Sequence, residues 1–155
     1  MVPMLATRGE FLTSYTPYQP EVSQGMLQAM WEFQTMVSEL VGLPISNVSM
    51  YDASTSAAEA ITCAVRVKSK KATNPNSVFV SELVPPHRLS VIRNYTQGVG
   101  IELHILPHND DGSLDMETAS SAAGSSAVYV EQPNALGILD EGLIGLKEVI
   151  GDSTA

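Results

Sequence analysis

Two stretches of this sequence carry side chains of types that could do chemistry. The first is Thr13-Ser14-Tyr15-Thr16-Pro17-Tyr18-Gln19-Pro20-Glu21-Val22-Ser23-Gln24-Gly25, where phenols, amides and hydroxyls lie along a strip stiffened by two prolines. Proline fixes φ and pushes the preceding residue toward extended geometry, so the strip is expected to be rigid and non-helical. Donors set beside flat apolar faces line pockets and interfaces, whereas the alternative is a turn whose tyrosines cap a core. The second stretch, Asp52-Ala53-Ser54-Thr55-Ser56, places a carboxylate and three hydroxyls just before an Ala-rich helical run. Ser54 or Thr55 is expected to be the N-cap of that helix, with Glu59 in its first turns.

Composition removes several classes of function. The 155 residues are 44% hydrophobic, enough for one domain with a real core. Seventeen acids against eight bases give a net charge of −9, and the only basic concentration is Arg66, Lys68, Lys70 and Lys71. That group reads as the solvated last turn of a helix, where cations complement the dipole, so nucleic acid is not an expected partner. A single cysteine, Cys63, cannot form an internal disulfide and fits a reduced, cytoplasmic setting.

No apolar run approaches the length of about 20 residues that spans a bilayer, so no membrane partner is expected. The N-terminus lacks a charged segment followed by an apolar one, as export would require. His87, His104 and His108 lack the spacing of a metal site, and none is expected. Asp110-Asp111 and Asp140-Glu141 read as exposed turn residues rather than an acid/base dyad.

The elements that must position these groups alternate. Residues 1–20 read as a loop segment and residues 21–41 as one long helix, with Val22, Met26, Leu27, Met30, Trp31, Phe33, Met36, Val37 and Leu40 forming an apolar stripe. Gly42 and Pro44 supply its stop, and the stripe is expected to pack as core against a sheet. Residues 47–51 read as a short extended piece, and residues 47–140 as alternating strands and helices. Strands are expected at 77–81, 101–106 and 127–131, with helices at 57–68 and 88–97, a turn at 109–112, a short helix from Leu114 and helical turns at 143–150. Val78-Phe79-Val80 and Val128-Tyr129-Val130 are apolar on successive residues, as strands covered on both faces require. The expected fold class is therefore α/β, a mainly parallel sheet flanked by helices, as one domain over residues 1–155.

Tyr15-Thr16-Pro17-Tyr18-Gln19-Pro20-Glu21 with Ser23-Gln24-Gly25, then Glu32-Phe33-Gln34-Thr35-Met36, Glu39-Leu40, Gly42-Leu43, Ser49-Met50-Tyr51-Asp52 and Ala58-Glu59-Ala60, stand in an order and spacing that resemble a known family. That family is the glycine decarboxylase P-protein of the glycine cleavage system, and in particular its separate alpha subunit, subunit 1. Glu131-Gln132-Pro133-Asn134 with Gly137 and Asp140 extends the resemblance over residues 8–141. It implies part of the large domain of a fold type I pyridoxal-phosphate-dependent transferase, in a chain several hundred residues long, so this sequence looks like a fragment.

The resemblance also implies the chemistry: pyridoxal 5′-phosphate-dependent decarboxylation of glycine, an oxidoreductase system's first step, with aminomethyl passed to the lipoylated H-protein. The partner beta subunit would hold the cofactor and its Schiff-base lysine. No such lysine is assigned here, because an imine-forming lysine must be desolvated. Lys68, Lys70 and Lys71 crowd a polar helix end and Lys147 sits in a terminal turn, so the isolated chain is expected to be inactive.

By the same resemblance Tyr15, Tyr18 and Gln24 would line an active site that the beta subunit completes. His87, following a strand, would be placed to stack on the cofactor ring. Ser54 and Thr55 would contact its phosphate or act only as caps, and Ala53 stands where the family has a glycine, which removes backbone freedom there. Two rival readings are a non-catalytic scaffold subunit and another fold type I enzyme, such as an aminotransferase.

Overall fold

The computed structural model describes residues 1–151 apart from Pro17, Tyr18, Pro20, Glu21, Val22, Ser49 and Ser69. The chain divides into two compact units, Met1–Met50 and Tyr51–Ala155.

In the first unit, the stretch read as a loop contains two single-turn helices, α1 (Val2–Ala6) and α2 (Gly9–Leu12). Elements this short show no apolar periodicity, so the pattern could not reveal them. The long helix α3 spans Gln24–Val41 and ends at Gly42, whose φ of 68° is the left-handed conformation that glycine adopts without penalty.

No residue of α3 is buried, and Trp31 is 70% exposed. The expectation that its stripe is core is therefore not met in this chain. Within residues 1–50 the neighbouring helices are single turns, too small to cover a helix of 18 residues.

The second unit is the predicted parallel α/β structure. Helix α4 (Ala53–Lys68) leads to β1 (Asn74–Ser81), α5 (Pro86–Gln97) and β2 (Glu102–Leu106). Then follow α6 (Met116–Ala119), a 3-10 turn (Ser120–Ala122), β3 (Ser125–Tyr129), a second 3-10 turn (Glu141–Gly145) and α7 (Leu146–Ile150). Among the described residues, those at 47–51 form no strand.

Both neighbours of β1 run parallel to it, in the order β2-β1-β3. Ser77 pairs with Glu102 and Val80 with Tyr129, and the register slips between Asn74 and Val78. Pro75 lies inside that slip and has no N–H to give the ladder. Its carbonyl instead accepts the Ser126 hydroxyl at 2.6 Å.

Each face of the sheet is covered, as the successive apolar residues required. Val78, Val80 and Ala127 pack with Ala57, Ala58 and Ile61 of α4 and Ile92 of α5. Phe79 and Val128 point to the other face, against a cluster of Leu106, Leu114, Ala119, Leu146 and Ile150. The crossover through α5 steps from β1 to β2, and the one through α6 steps back past β1 to β3. Opposite steps on opposite faces preserve one hand, the usual rule for parallel connections.

Candidate functional site

Because the chain leaves β1 for one neighbour and later returns on the other side, the strand order reverses between β1 and β3. In open parallel sheets the crevice outside the carboxyl ends of the strands at such a switch point is where ligands sit. Here that place holds Arg88 from the first turn of α5 and Tyr129 and Glu131 from the end of β3.

Period-two alternation keeps Tyr129 and Glu131 on the α4/α5 side of the sheet. There Glu131 forms an ion pair with Arg88, the two side chains being 13% and 20% exposed. The Tyr129 hydroxyl donates to the same carboxylate at 3.0 Å. Burial, reinforced by the Glu131 charge, pushes the Tyr129 phenol above its ordinary pKa, and the hydrogen bond to Glu131 raises that of Arg88. Arg88 Nε is buried and has no partner among the described residues.

The start of α4 is set by Asp52, two or three residues earlier than the hydroxyls expected to cap it. Asp52 Oδ1 accepts from the Thr55 amide at 2.7 Å and the Thr55 hydroxyl at 2.8 Å. In return the Asp52 amide donates to Thr55 Oγ1 at 3.1 Å. This is a reciprocal capping box with Thr55 as its second member. Hydroxyls are good caps, which points to Ser54 or Thr55 on sequence grounds, but a carboxylate three residues before a hydroxyl closes the box from both ends. The Thr55 amide is the main cause, ahead of the Thr55 hydroxyl, that holds the Asp52 carboxyl below the usual carboxylate range, and the Arg88 charge adds to it.

Ser54 is buried at 6% exposure and Thr55 is half-buried. Since the Thr55 amide and hydroxyl are both engaged by a carboxylate, this turn does not fit the phosphate of a pyridoxal cofactor.

The other candidates lie as follows. His87, the second residue of α5, is exposed, while its neighbour Arg88 turns toward the end of β3. Tyr15 is 90% exposed and Gln24 is exposed at the first position of α3, both in the first unit. Tyr18 lies outside the described residues. None of Lys68, Lys70, Lys71 and Lys147 is buried, and Cys63 is exposed on α4. Among the described residues no group of three or more metal-binding side chains occurs, and no helix is long and apolar enough to cross a membrane.

Two features were missed in the sequence. One is the Arg88–Glu131–Tyr129 cluster, whose only local signal was a glutamate just past an apolar strand. The other is Asp140, which is 9% exposed rather than a solvated turn residue. Its carboxylate accepts from the amides of Leu114 at 2.7 Å and Gly142 at 2.9 Å. Gln132 bonds the Asp140 backbone in both directions at 2.8 Å, and Asn134 donates to the Gly112 carbonyl at 2.9 Å. The Glu-Gln-Pro-Asn run thus works as a brace behind the strand ends.

The architecture and this placement of groups define a parallel α/β protein with its polar cluster at the switch point of the sheet. Comparison with known proteins specifies more. A family model described as glycine cleavage system P-protein matches residues 2–152, and the chain belongs to that family.

Among its relatives, the probable glycine dehydrogenase (decarboxylating) subunit 1 of Thermococcus onnurineus is 46% identical over 155 residues, which is 99% of this chain and 34% of that protein. The Thermoplasma acidophilum protein of the same name is 39% identical over 96% of this chain. A crystal structure of glycine decarboxylase (P-protein) of the glycine cleavage system, in inhibitor-bound form, superposes with a TM-score of 0.72 at 46% identity, covering 90% of this chain and 30% of that one. The chain therefore spans about a third of the length of the curated relatives it matches.

Proposed function

We propose that this chain is part of subunit 1 of a glycine decarboxylase and works in a glycine cleavage system. The observation that carries this reading is the family match over nearly the whole chain, together with relatives consistently named as subunit 1. A numbered subunit implies a partner. In this reading the partner beta subunit holds pyridoxal phosphate, glycine is decarboxylated there, and the aminomethyl product passes to the lipoyl group of the H-protein in the cytoplasm.

The role proposed for this chain is to shape the site and exclude water rather than to supply the electron sink, which is the cofactor's contribution. Tyr15, Tyr18 and Gln24 are proposed to line the shared site. Exposure of Tyr15 and Gln24 supports this, because their side chains are available to a partner. Exposed His87, on the second unit, is proposed in its own right as an active-site lining residue.

The test is glycine-dependent exchange of carbon dioxide on mixing a longer chain carrying these residues with its partner subunit and H-protein. Exchange is expected, with a fall on Tyr15→Phe or Gln24→Ala. No exchange with the matching partner, where another subunit 1 restores it, would sink the assignment.

A second reading, a non-catalytic scaffold subunit, is favoured by one observation: none of the four lysines is buried as an imine-forming lysine must be. Borohydride reduction in the presence of pyridoxal phosphate, followed by mass spectrometry, separates these views. A stoichiometric adduct on one lysine of this chain would contradict both.

A further inference from the structure

We propose that the Asp52 carboxylate is a built-in anion that closes the N-terminus of α4 to phosphate, so that this turn offers no phosphate seat to pyridoxal phosphate or to any other phosphate ester. The choice of pyridoxal phosphate as a ligand rests on the functional reading above. The exclusion itself concerns phosphate in general and is tested with inorganic phosphate alone.

A helix N-terminus attracts anions because its first amides are unpaired and its dipole is positive there. In α4 that attraction is already satisfied from within. The Thr55 amide and hydroxyl point at Asp52 Oδ1 at 2.7 and 2.8 Å, and the Asp52 carbonyl accepts from the Ser56 amide at 2.9 Å. A phosphate competing for the same donors would have to displace a carboxylate tethered one turn away, or approach it as a like charge.

Three further observations act in the same direction. The start of α4 is closely packed, with Ser54, Ala57 and Ala58 at 6%, 5% and 0% exposure, which leaves little room for a ligand against that face. Ala53 bears a Cβ where a glycine would let the backbone open around an anion. Arg88, the cation whose field reaches Asp52, is itself ion-paired with Glu131 through a terminal nitrogen, so its charge is already compensated within the cluster.

The experiment is an amide-resonance titration of the isotopically labelled chain at neutral pH, with inorganic phosphate and pyridoxal phosphate added in separate series. In the unaltered chain the Ser54 and Thr55 amides are expected to show no saturable shift with either ligand. In Asp52→Ser, which keeps an oxygen at the cap but removes the charge, both amides should shift saturably, with apparent phosphate affinity raised on the order of tenfold or more. Asp52→Asn provides a second uncharged cap, and far-ultraviolet circular dichroism verifies the helix in each variant.

Saturable phosphate binding at Thr55 in the unaltered chain would overturn the proposal. So would the absence of any gain in either variant with α4 intact. Failure of the carbon dioxide exchange assay would instead count against the functional reading and leave the phosphate result standing.

Discussion

Gly25 sits where the first turn of α3 meets α2. A Cβ built on it would lie 2.9 Å from the Glu10 carbonyl oxygen and 2.9 Å from Glu10 Cβ, with Phe11 Cε1 at 3.0 Å. The Glu10 backbone cannot swing aside as a long side chain would, so Gly25→Ala is expected to destabilise by about 1–3 kcal/mol, measured by chemical denaturation. The same junction explains Ser23, which is fully buried and donates to the Glu10 carbonyl at 2.5 Å. Ser-Gln-Gly in the tyrosine-rich run therefore has a packing role on either side of Gln24. Asp140→Ala would leave the amides of Leu114 and Gly142 without their acceptor, an expected loss of about 1–3 kcal/mol. Tyr129 makes a pH-dependent contribution. Because burial raises its folded-state pKa, the unfolded chain loses this proton first as pH rises. Its contribution is thus fully present below about pH 10 and falls above it. Thermal unfolding of Tyr129→Phe across that range should show a shallower alkaline decline.

At the scale of elements, three carboxylates organise starts and turns on the acid side of the pH range. Asp52 is held below its ordinary pKa by the Thr55 amide, Asp111 by the Ser113 hydroxyl and Asp115 by the Thr118 hydroxyl. A depressed folded-state pKa gives stability that is present above the unfolded value of about 4 and is lost as pH falls through the folded one. Replacing Asp111 and Asp115 with asparagine should flatten the dependence of melting temperature on pH below about 4. The buried aliphatic layer is a separate source of stability, and Ile92→Ala, at a fully buried position of α5, should cost about 2–5 kcal/mol. These elements differ in how far the sequence announced them. Val78-Phe79-Val80 could only be a strand covered on two faces, and Gly42 could only be a helix end, since both signals are local. The Asp52 box was hidden because three adjacent hydroxyls compete for the same role on paper. Arg88 and Glu131 are joined only by the folding of the sheet, so no local spacing connects them, and nothing in the sequence distinguishes Arg88 from exposed His87 beside it.

Across the whole molecule the two units differ in what holds them. The second has aliphatic layers on each face of a sheet, whereas no apolar residue described in the first is buried. Regions with few buried apolar contacts open most readily. Limited proteolysis of the chain is therefore expected to cut first within residues 1–50 and to leave a product beginning near Tyr51, while equal cutting of β1 would contradict that ranking. The family resemblance was legible because its tyrosine-rich run survives as a string of residue types, yet Tyr15 and Gln24 lie on that first unit, where side-chain exposure rather than a preformed pocket is what they present. The brace around Asp140 has a different outcome. The amides of Leu114, Ile138, Asp140 and Gly142 lie outside regular helices and strands or at their margins, and each donates to a side-chain oxygen of Asp140, Asn134 or Gln132. Transferred into heavy water, this irregular segment should keep its protium as an island of slow isotope exchange, timed with the sheet it braces rather than with the loops it resembles.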